Sequence, residues 1–222
     1  MFLIWQQDKH SPLYVAKRVG KDGVVFNMIK LRSMIKDAEQ SGVDSTGSND
    51  IRITRIGKYI RRYKLDEFTQ LINVFLGQMS LVGPRPNVKN ETDLYTDKEK
   101  LLLSVKPGIT DFASIVFSDE GDILQGSSNP DLSYNQLIRP GKSALGLFYI
   151  ENRKLSLDIK IIYYTFLALI NRKTTLRKIS LLVQKHGGSP TLSELCNRAK
   201  PLVPAPPPGS DQIVTTRNPR PN

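Results

Sequence analysis

Along the first third of the chain the apolar residues follow two rhythms. Residues 14–34, YVAKRVGKDGVVFNMIKLRSM, hold two β-rich runs on either side of Gly20–Gly23, and the Asp22-Gly23 pair between them is a short-range hairpin signal. Lys30 and Arg32 fall on the second predicted strand. EQSGVDSTGSND, residues 39–50, reads as a polar loop. Beyond it the spacing lengthens: Ile53, Ile56, Ile60 and Tyr63 recur every three or four residues, predicting a helix with one buried face. Arg55, Lys58 and Arg62 share another face as a basic stripe. Leu65, Phe68, Leu71, Ile72, Phe75 and Leu76 repeat the pattern in a second helix, with Gly77 placed to end it. The two helices meet at KLDE, residues 64–67.

Residues 91–108, ETDLYTDKEKLLLSVKPG, predict a helix closed by Pro107 and Gly108, and Phe112–Ile138 is mixed, with loop signals at GSSNPD. YIENRKLSLDIKIIYYTFLALINRK, residues 149–173, is an apolar run interrupted by Asp158 and Lys160 and bounded by Arg172 and Lys173. It suits a helix packed on the domain or lying in a membrane interface, and the pattern alone favours core packing. From His186 the prolines multiply and apolar content drops, predicting a disordered tail over residues 187–222. The expectation is therefore an α+β fold: one mainly helical domain over residues 11–186 with a small β-hairpin.

Composition narrows the function. The 222 residues are 39% hydrophobic, enough for one domain and a tail, and a net charge of +11 with pI near 9.7 favours anionic partners. Nucleic acid, phosphorylated metabolites and an acidic membrane surface all qualify. Cys196 is the single cysteine and His10 and His186 the only histidines, which excludes an internal disulfide and zinc-ligand spacing and suggests reducing surroundings. IIYYTFLALI at 161–170 stops at half the roughly 20 apolar residues a spanning helix needs. The opening MFLIW lacks the basic start and longer apolar region of a signal peptide.

The densest chemistry is RRYKLDEFTQLINVFLGQMSLVGPRP, residues 61–86. Taken singly, its parts have plain structural uses: acids in a first helical turn contribute roughly 0.3–1 kcal/mol as caps and dipole partners, GPRP makes a rigid turn, and the basic stripe is a solvated face. Together, basic side chains beside Asp66 and Glu67 match the needs of a phosphorylated substrate and a divalent metal. Mg2+ takes one or two protein carboxylates and phosphate oxygens. A neighbouring carboxylate held anionic by basic surroundings can attack phosphorus and form an acyl phosphate. Adjacent helical positions point about 100° apart, so the two acids should have different jobs. The rival class, a nucleic-acid-binding domain on the stripe from Arg52 to Lys64, predicts steep salt dependence, but no stacking platform or binding motif accompanies the charge.

TRIGKYIRRYKLDEFTQLINVFLGQMSLVGPRP, residues 54–86, closely resembles the signature of the bacterial sugar transferase family, the monotopic phosphoglycosyl transferases that begin glycan assembly on a polyprenyl phosphate. The likeness extends through RVGKDG, KLRSM, KPGIT and LFYIENRKLSLDIKII, covering about residues 11–170. It implies a two-step reaction at the cytoplasmic face of the bacterial inner membrane. An aspartate attacks the β-phosphate of a UDP-sugar, UMP leaves, and the phosphosugar passes to undecaprenyl phosphate. This would be the first membrane step of exopolysaccharide, capsule, O-antigen or glycoprotein glycan synthesis. Asp66 matches the nucleophile and Glu67 the acid that binds Mg2+; Lys30, Arg32, Arg61 and Arg85 match basic substrate-binding positions. The resemblance also implies partners in a UDP-sugar, polyprenyl phosphate and a membrane surface, with no nucleic acid.

Three features depart from the family pattern. Its members normally carry a membrane-dipping hydrophobic segment before the catalytic domain, whereas residues 1–10, MFLIWQQDKH, read as a remnant of one. Amphipathic helices and basic residues facing the membrane would then carry the contact, at roughly 1 kcal/mol per basic residue near an anionic surface. The same shortening also fits an inactive family member serving as a scaffold. Gly146 stands where many members place an acid that helps organise the site, and Asp111 where they commonly have glycine.

Overall fold

The computed structural model describes residues 1–38 and 50–216; the loop expected at 39–50 lies outside them except for Asp50. A short helix, α1 (Phe2–Asp8), precedes the antiparallel hairpin of β1 (Leu13–Val19) and β2 (Val25–Leu31), in which Val19 faces Val25 and Leu13 faces Leu31. Asp22 and Gly23 take φ of 56° and 78°, the left-handed pair whose twist matches the flanking strands. Lys30 lies on β2 as expected, and Arg32 one residue beyond its end.

Helix α2 (Arg55–Arg62) starts where the Thr54 hydroxyl accepts the Gly57 N–H at 2.9 Å. It buries Ile60, half-buries Ile56 and leaves Arg55, Lys58 and Arg62 exposed, as the spacing predicts, but Tyr63 is exposed and Ile53 is buried before the helix, in a bridge with Met34. Lys64 then turns left-handed, with φ of 53°. Leu65–Glu67 forms one 3-10 turn, α3 covers only Gln70–Phe75, and Gly77 follows with φ of 74°.

The expected burial of this second helix is inverted. Gln70 and Asn73 are fully buried, whereas Leu71, Ile72, Phe75 and Leu76 are exposed, Phe75 by 91%. The free edge of β2 accounts for Asn73, whereas the Gln70 amide is buried without a hydrogen-bond partner among the described residues. Asn73 accepts the Ile29 N–H at 3.0 Å and donates to the Asn27 carbonyl at 2.7 Å, and Thr69 Oγ1 donates to the Ile29 carbonyl. A strand edge leaves polar backbone groups wanting partners, so α3 turns its polar side inward.

Strand β3 (Ser80–Val82) follows, and α4 (Lys89–Thr92) and α5 (Asp97–Lys100) replace the single helix expected over 91–108. The break falls at Thr96, which caps α5 reciprocally with Glu99. Residues 108–110 continue as β4 (Gly108–Thr110), parallel to β3, with Ser80 opposite Gly108 and Val82 opposite Thr110. The backbones approach closely there: a Cβ on Gly108 would lie 2.1 Å from Gly83 N, and one on Gly83 would lie 2.6 Å from Lys106 O. Only glycine permits this, and it fixes the GPRP corner against KPGIT.

Three short helices, α6 (Phe112–Val116), α7 (Glu120–Ile123) and α8 (Pro130–Ser133), fill the mixed stretch. A π-helical turn, Tyr134–Ile138, leads into α9 (Arg139–Asn152), followed by α10 (Leu155–Ile170), α11 (Arg172–Lys185) and α12 (Pro190–Asn197). Their shared core includes Phe112, Ile115, Val116, Leu145, Leu157, Ile161 and Ile179. A smaller cluster of Ala16, Phe26, Met28 and Met79 lies under the hairpin.

Helix α10 packs on this core, as the pattern favours, through Leu157 and Ile161 with Ile162, Tyr164 and Ala168 against the same cluster, but Leu155, Ile159, Tyr163, Phe166, Leu169 and Ile170 are exposed. Periodicity marks an apolar face without saying what covers it. No helix among the described residues is long and apolar enough to cross a membrane.

The tail expected to be disordered beyond residue 186 is instead packed over its described part. Ser180 Oγ donates to Ser193 O at 2.7 Å and Cys196 is fully buried. Gln136 O accepts the Ala205 N–H, Gln136 Nε2 donates to Val214 O, and Thr96 Oγ1 donates to Pro208 O. Proline removes N–H donors but leaves its carbonyl free to accept.

Candidate active site

The LDE turn sits between two basic walls. From β2, Lys30 places its Nζ 3.7 Å from Asp66 Oδ2; from the corner after β3, Arg85 Nη2 lies 2.6 Å from Glu67 Oε1. Thr69 Oγ1 contacts the carbonyls of Ile29 and Asp66, holding the turn against the strand. Neither carboxylate caps a backbone amide among the described hydrogen bonds, so capping is not their use here. The neighbouring acids engage different cations, as expected from their divergent directions.

Of the basic positions anticipated, Lys30 and Arg85 join the acidic pair. Arg32 does not: it donates to Asp8 at 2.6 Å and to Ser11 O at 2.8 Å, tying α1 to the hairpin. Arg61 lies exposed on the last turn of α2, where its charge reaches Glu120. Sequence reasoning missed three groups. Lys64 donates to Ser114 O at 3.2 Å beside the turn, and Lys142 of α9 pairs with Glu120 of α7. Lys64 was within reach, since it immediately precedes LDE; Glu120 and Lys142 arrive from distant segments with no local motif. Gly146 abuts the same corner, where a Cβ would meet Leu102 at 2.7 Å and Pro84 at 3.7 Å.

The electrostatics follow from this crowding of charge. Burial pulls Lys30 down to about 8, with Arg85 adding to the fall and Asp66 and Glu67 opposing it. Burial alone would raise Glu67, but Arg85, Lys64 and Lys30 outweigh it and hold the carboxyl below its ordinary value. Glu67 in turn drives the Arg85 guanidinium upward. Burial lowers Lys64 and raises Asp111. At neutral pH the site therefore holds an ionised Glu67 locked to an ionised Arg85, with Lys30 close to its titration point.

Among the described residues no group of three or more His, Cys, Asp or Glu side chains could hold a metal ion. The two carboxylates of the turn suit the other mode of Mg2+ binding, in which one or two acids share the ion with substrate phosphate and water. Two carboxylates fixed on a basic floor of Lys30, Lys64 and Arg85 define a site for phosphoryl chemistry.

Comparison with known proteins agrees with that class. The family model described as bacterial sugar transferase matches residues 1–172, and the chain belongs to this family. It is 33% identical over 181 residues to a UDP-galactose-lipid carrier transferase of Erwinia amylovora, an alignment covering 75% of this chain and 35% of that protein. It is 31% identical over 190 residues to an undecaprenyl-phosphate galactose phosphotransferase of Salmonella typhimurium, covering 78% and 37% respectively. Identity reaches 49% over 96 residues with a putative undecaprenyl-phosphate N-acetylgalactosaminyl 1-phosphate transferase of Bacillus subtilis, covering 43% of this chain and 51% of that one. The chain thus spans about a third to a half of the length of these relatives.

Proposed function

We propose that this protein is a phosphoglycosyl transferase that moves a sugar 1-phosphate from a UDP-sugar to a polyprenyl phosphate through an intermediate on Asp66. The observation that carries the proposal is the unequal pairing within the turn. Glu67 is held by Arg85 at 2.6 Å, whereas Asp66 meets Lys30 only at 3.7 Å, leaving its carboxylate available to react. An Asp66 oxygen attacks the β-phosphorus, the bond to the UMP oxygen breaks, and UMP departs with the electron pair. An oxygen of the polyprenyl phosphate then attacks the same phosphorus, and the aspartyl–phosphorus bond breaks to restore the carboxylate. Lys30, Lys64 and Arg85 counter the charge that builds on the phosphoryl oxygens. Glu67 is the carboxylate that would hold Mg2+, an ion that supplies further neutralisation when bound. Relatives named for undecaprenyl phosphate support a lipid-borne acceptor.

The exposed apolar faces fit the same reaction. Leu71, Ile72 and Phe75 on α3 and Tyr163, Phe166 and Ile170 on α10 lie open. Strand β3, whose Leu81 is also exposed, contacts both helices. We assign this surface to the cytoplasmic face of the membrane, where the acceptor resides. Introducing Phe75→Asp with Phe166→Asp should weaken co-sedimentation with lipid vesicles about tenfold or more, since each removes an apolar side chain worth roughly 1.5–3 kcal/mol when buried. The melting temperature should hold, because both residues are exposed. Unchanged sedimentation would remove this face from the interface.

The direct test incubates purified protein with a UDP-sugar, Mg2+ and undecaprenyl phosphate. UMP release and a sugar-phosphate mass on Asp66 are expected; turnover with no such adduct in the trapped protein would refute the intermediate. Lys30 adds a pH signature. Its positive charge is lost as pH rises through about 8, so kcat/KM should fall across that range. Lys30→Arg keeps the charge and should move the falling limb to higher pH, which a profile from pH 6 to 10 would reveal.

A further inference from the structure

We propose that the cavity adjoining Arg85 receives hydroxyl groups of the donor sugar, and that Asp111, assisted by Ser114, distinguishes one sugar from another. The inference rests on the proposed transfer from a UDP-sugar and adds the part of the site that reads the sugar. The cavity measures about 40 Å3 and is lined by Arg85, Asn87, Asp111, Ser114, Tyr134 and Lys142 among others, but by neither Asp66 nor Glu67. That is room for roughly three water-sized groups, which suits one edge of a sugar ring and is too little for a nucleoside.

The side chains of the cavity indicate the ligand. Its cations are already engaged, Arg85 by Glu67, Arg139 by Glu99 and Lys142 by Glu120, so the acidic group it offers is Asp111. A sugar hydroxyl can donate a hydrogen bond to that group. The cavity and the turn are joined by Lys64, which donates to Ser114 O and interacts with Asp66, Glu67, Arg85 and Asp111 together. A sugar attached to a phosphorus held at the turn therefore has the cavity within its reach.

Capping alone does not account for Asp111. Its Oδ1 accepts the Ser114 N–H at 2.6 Å at the start of α6, a task that Asn or Ser performs as well. Yet the residue is an acid, only 2% exposed, facing the charges of Lys142 and Arg85, with burial raising its carboxyl group. Ser114 Oγ is buried beside it and acts on the same carboxyl group as the Ser114 N–H. A buried acid and hydroxyl next to a small polar cavity are the kind of groups by which proteins discriminate hydroxyl positions.

The test measures kcat/KM for UMP release from UDP-glucose, UDP-galactose, UDP-N-acetylglucosamine and UDP-N-acetylgalactosamine, together with inhibition by UMP. Asp111→Asn retains the cap but replaces the acid with an amide. It should compress the ratio between the best and worst donors about tenfold while the UMP inhibition constant stays within about twofold. Ser114→Ala should act in the same direction and more weakly, and it decides the matter if Asp111→Asn does not fold. A uniform loss across all donors, an unchanged ratio in the folded variants, or a wild type that does not tell the donors apart would overturn the assignment. Failure of the wild type to release UMP from any donor would instead overturn the proposed transferase function.

Discussion

Replacing Asp66 with Asn is expected to reduce UMP release at least about a thousandfold and to abolish the covalent adduct, because an amide oxygen cannot displace UMP and be regenerated. The substitution is nearly isosteric, and its 3.7 Å partner is a flexible lysine, so a cooperative melt close to that of the wild type should accompany the loss. Asp66 is among the charges that hold the Lys30 proton on; without it, burial and Arg85 act less opposed, and Lys30 should titrate lower than about 8. Asp66→Glu separates charge from position. It keeps the anion but moves the reacting oxygen by one methylene, and near-attack geometry tolerates little displacement, so a large loss is expected there too. Full activity in Asp66→Asn would mean that the nucleophile lies elsewhere and would dissolve the roles assigned around it.

How much of this was legible in the sequence depends on the range over which each feature is written. The Asp22-Gly23 turn and the ends of α2 are local. Two left-handed residues close the hairpin, and Ile60 marks the buried face of α2, both readable from a few neighbours. The acidic pair was legible because the turn that presents it and the arginine that receives it lie within one stretch of the chain. What covers an apolar face is not written locally. Leu71, Ile72 and Phe75 of α3 and Ile159, Phe166 and Ile170 of α10 are apolar yet face outward; on α3 the polar edge of β2 claims the Asn73 side. Asp111, Glu120 and Lys142 reach the site only through the packing of α6, α7 and α9, and no motif spans that distance. The proline-rich end was misread because composition counts missing donors and not the carbonyls that Thr96 and Gln136 engage.

The second large effect is on stability and concerns the pair that fixes the outer wall of the cavity. Arg139 and Glu99 are 3% and 0% exposed. The guanidinium donates to Glu99 Oε1 at 2.9 Å, to Asn135 Oδ1 at 3.0 Å and to Leu94 O at 2.5 Å. Glu99 also accepts from Ser143 Oγ at 2.6 Å and from the Thr96 N–H at 3.0 Å. Arg139→Ala would strand a buried carboxylate, at a cost of about 3–5 kcal/mol. For a chain of this length that corresponds to a fall in melting temperature of roughly 6–20 °C. Arg139→Leu combined with Glu99→Gln removes both charges and should recover more than half of the loss. A single variant melting within about 2 °C of wild type, or a double variant no more stable than the single one, would show that the pair is not what holds α5 to α9.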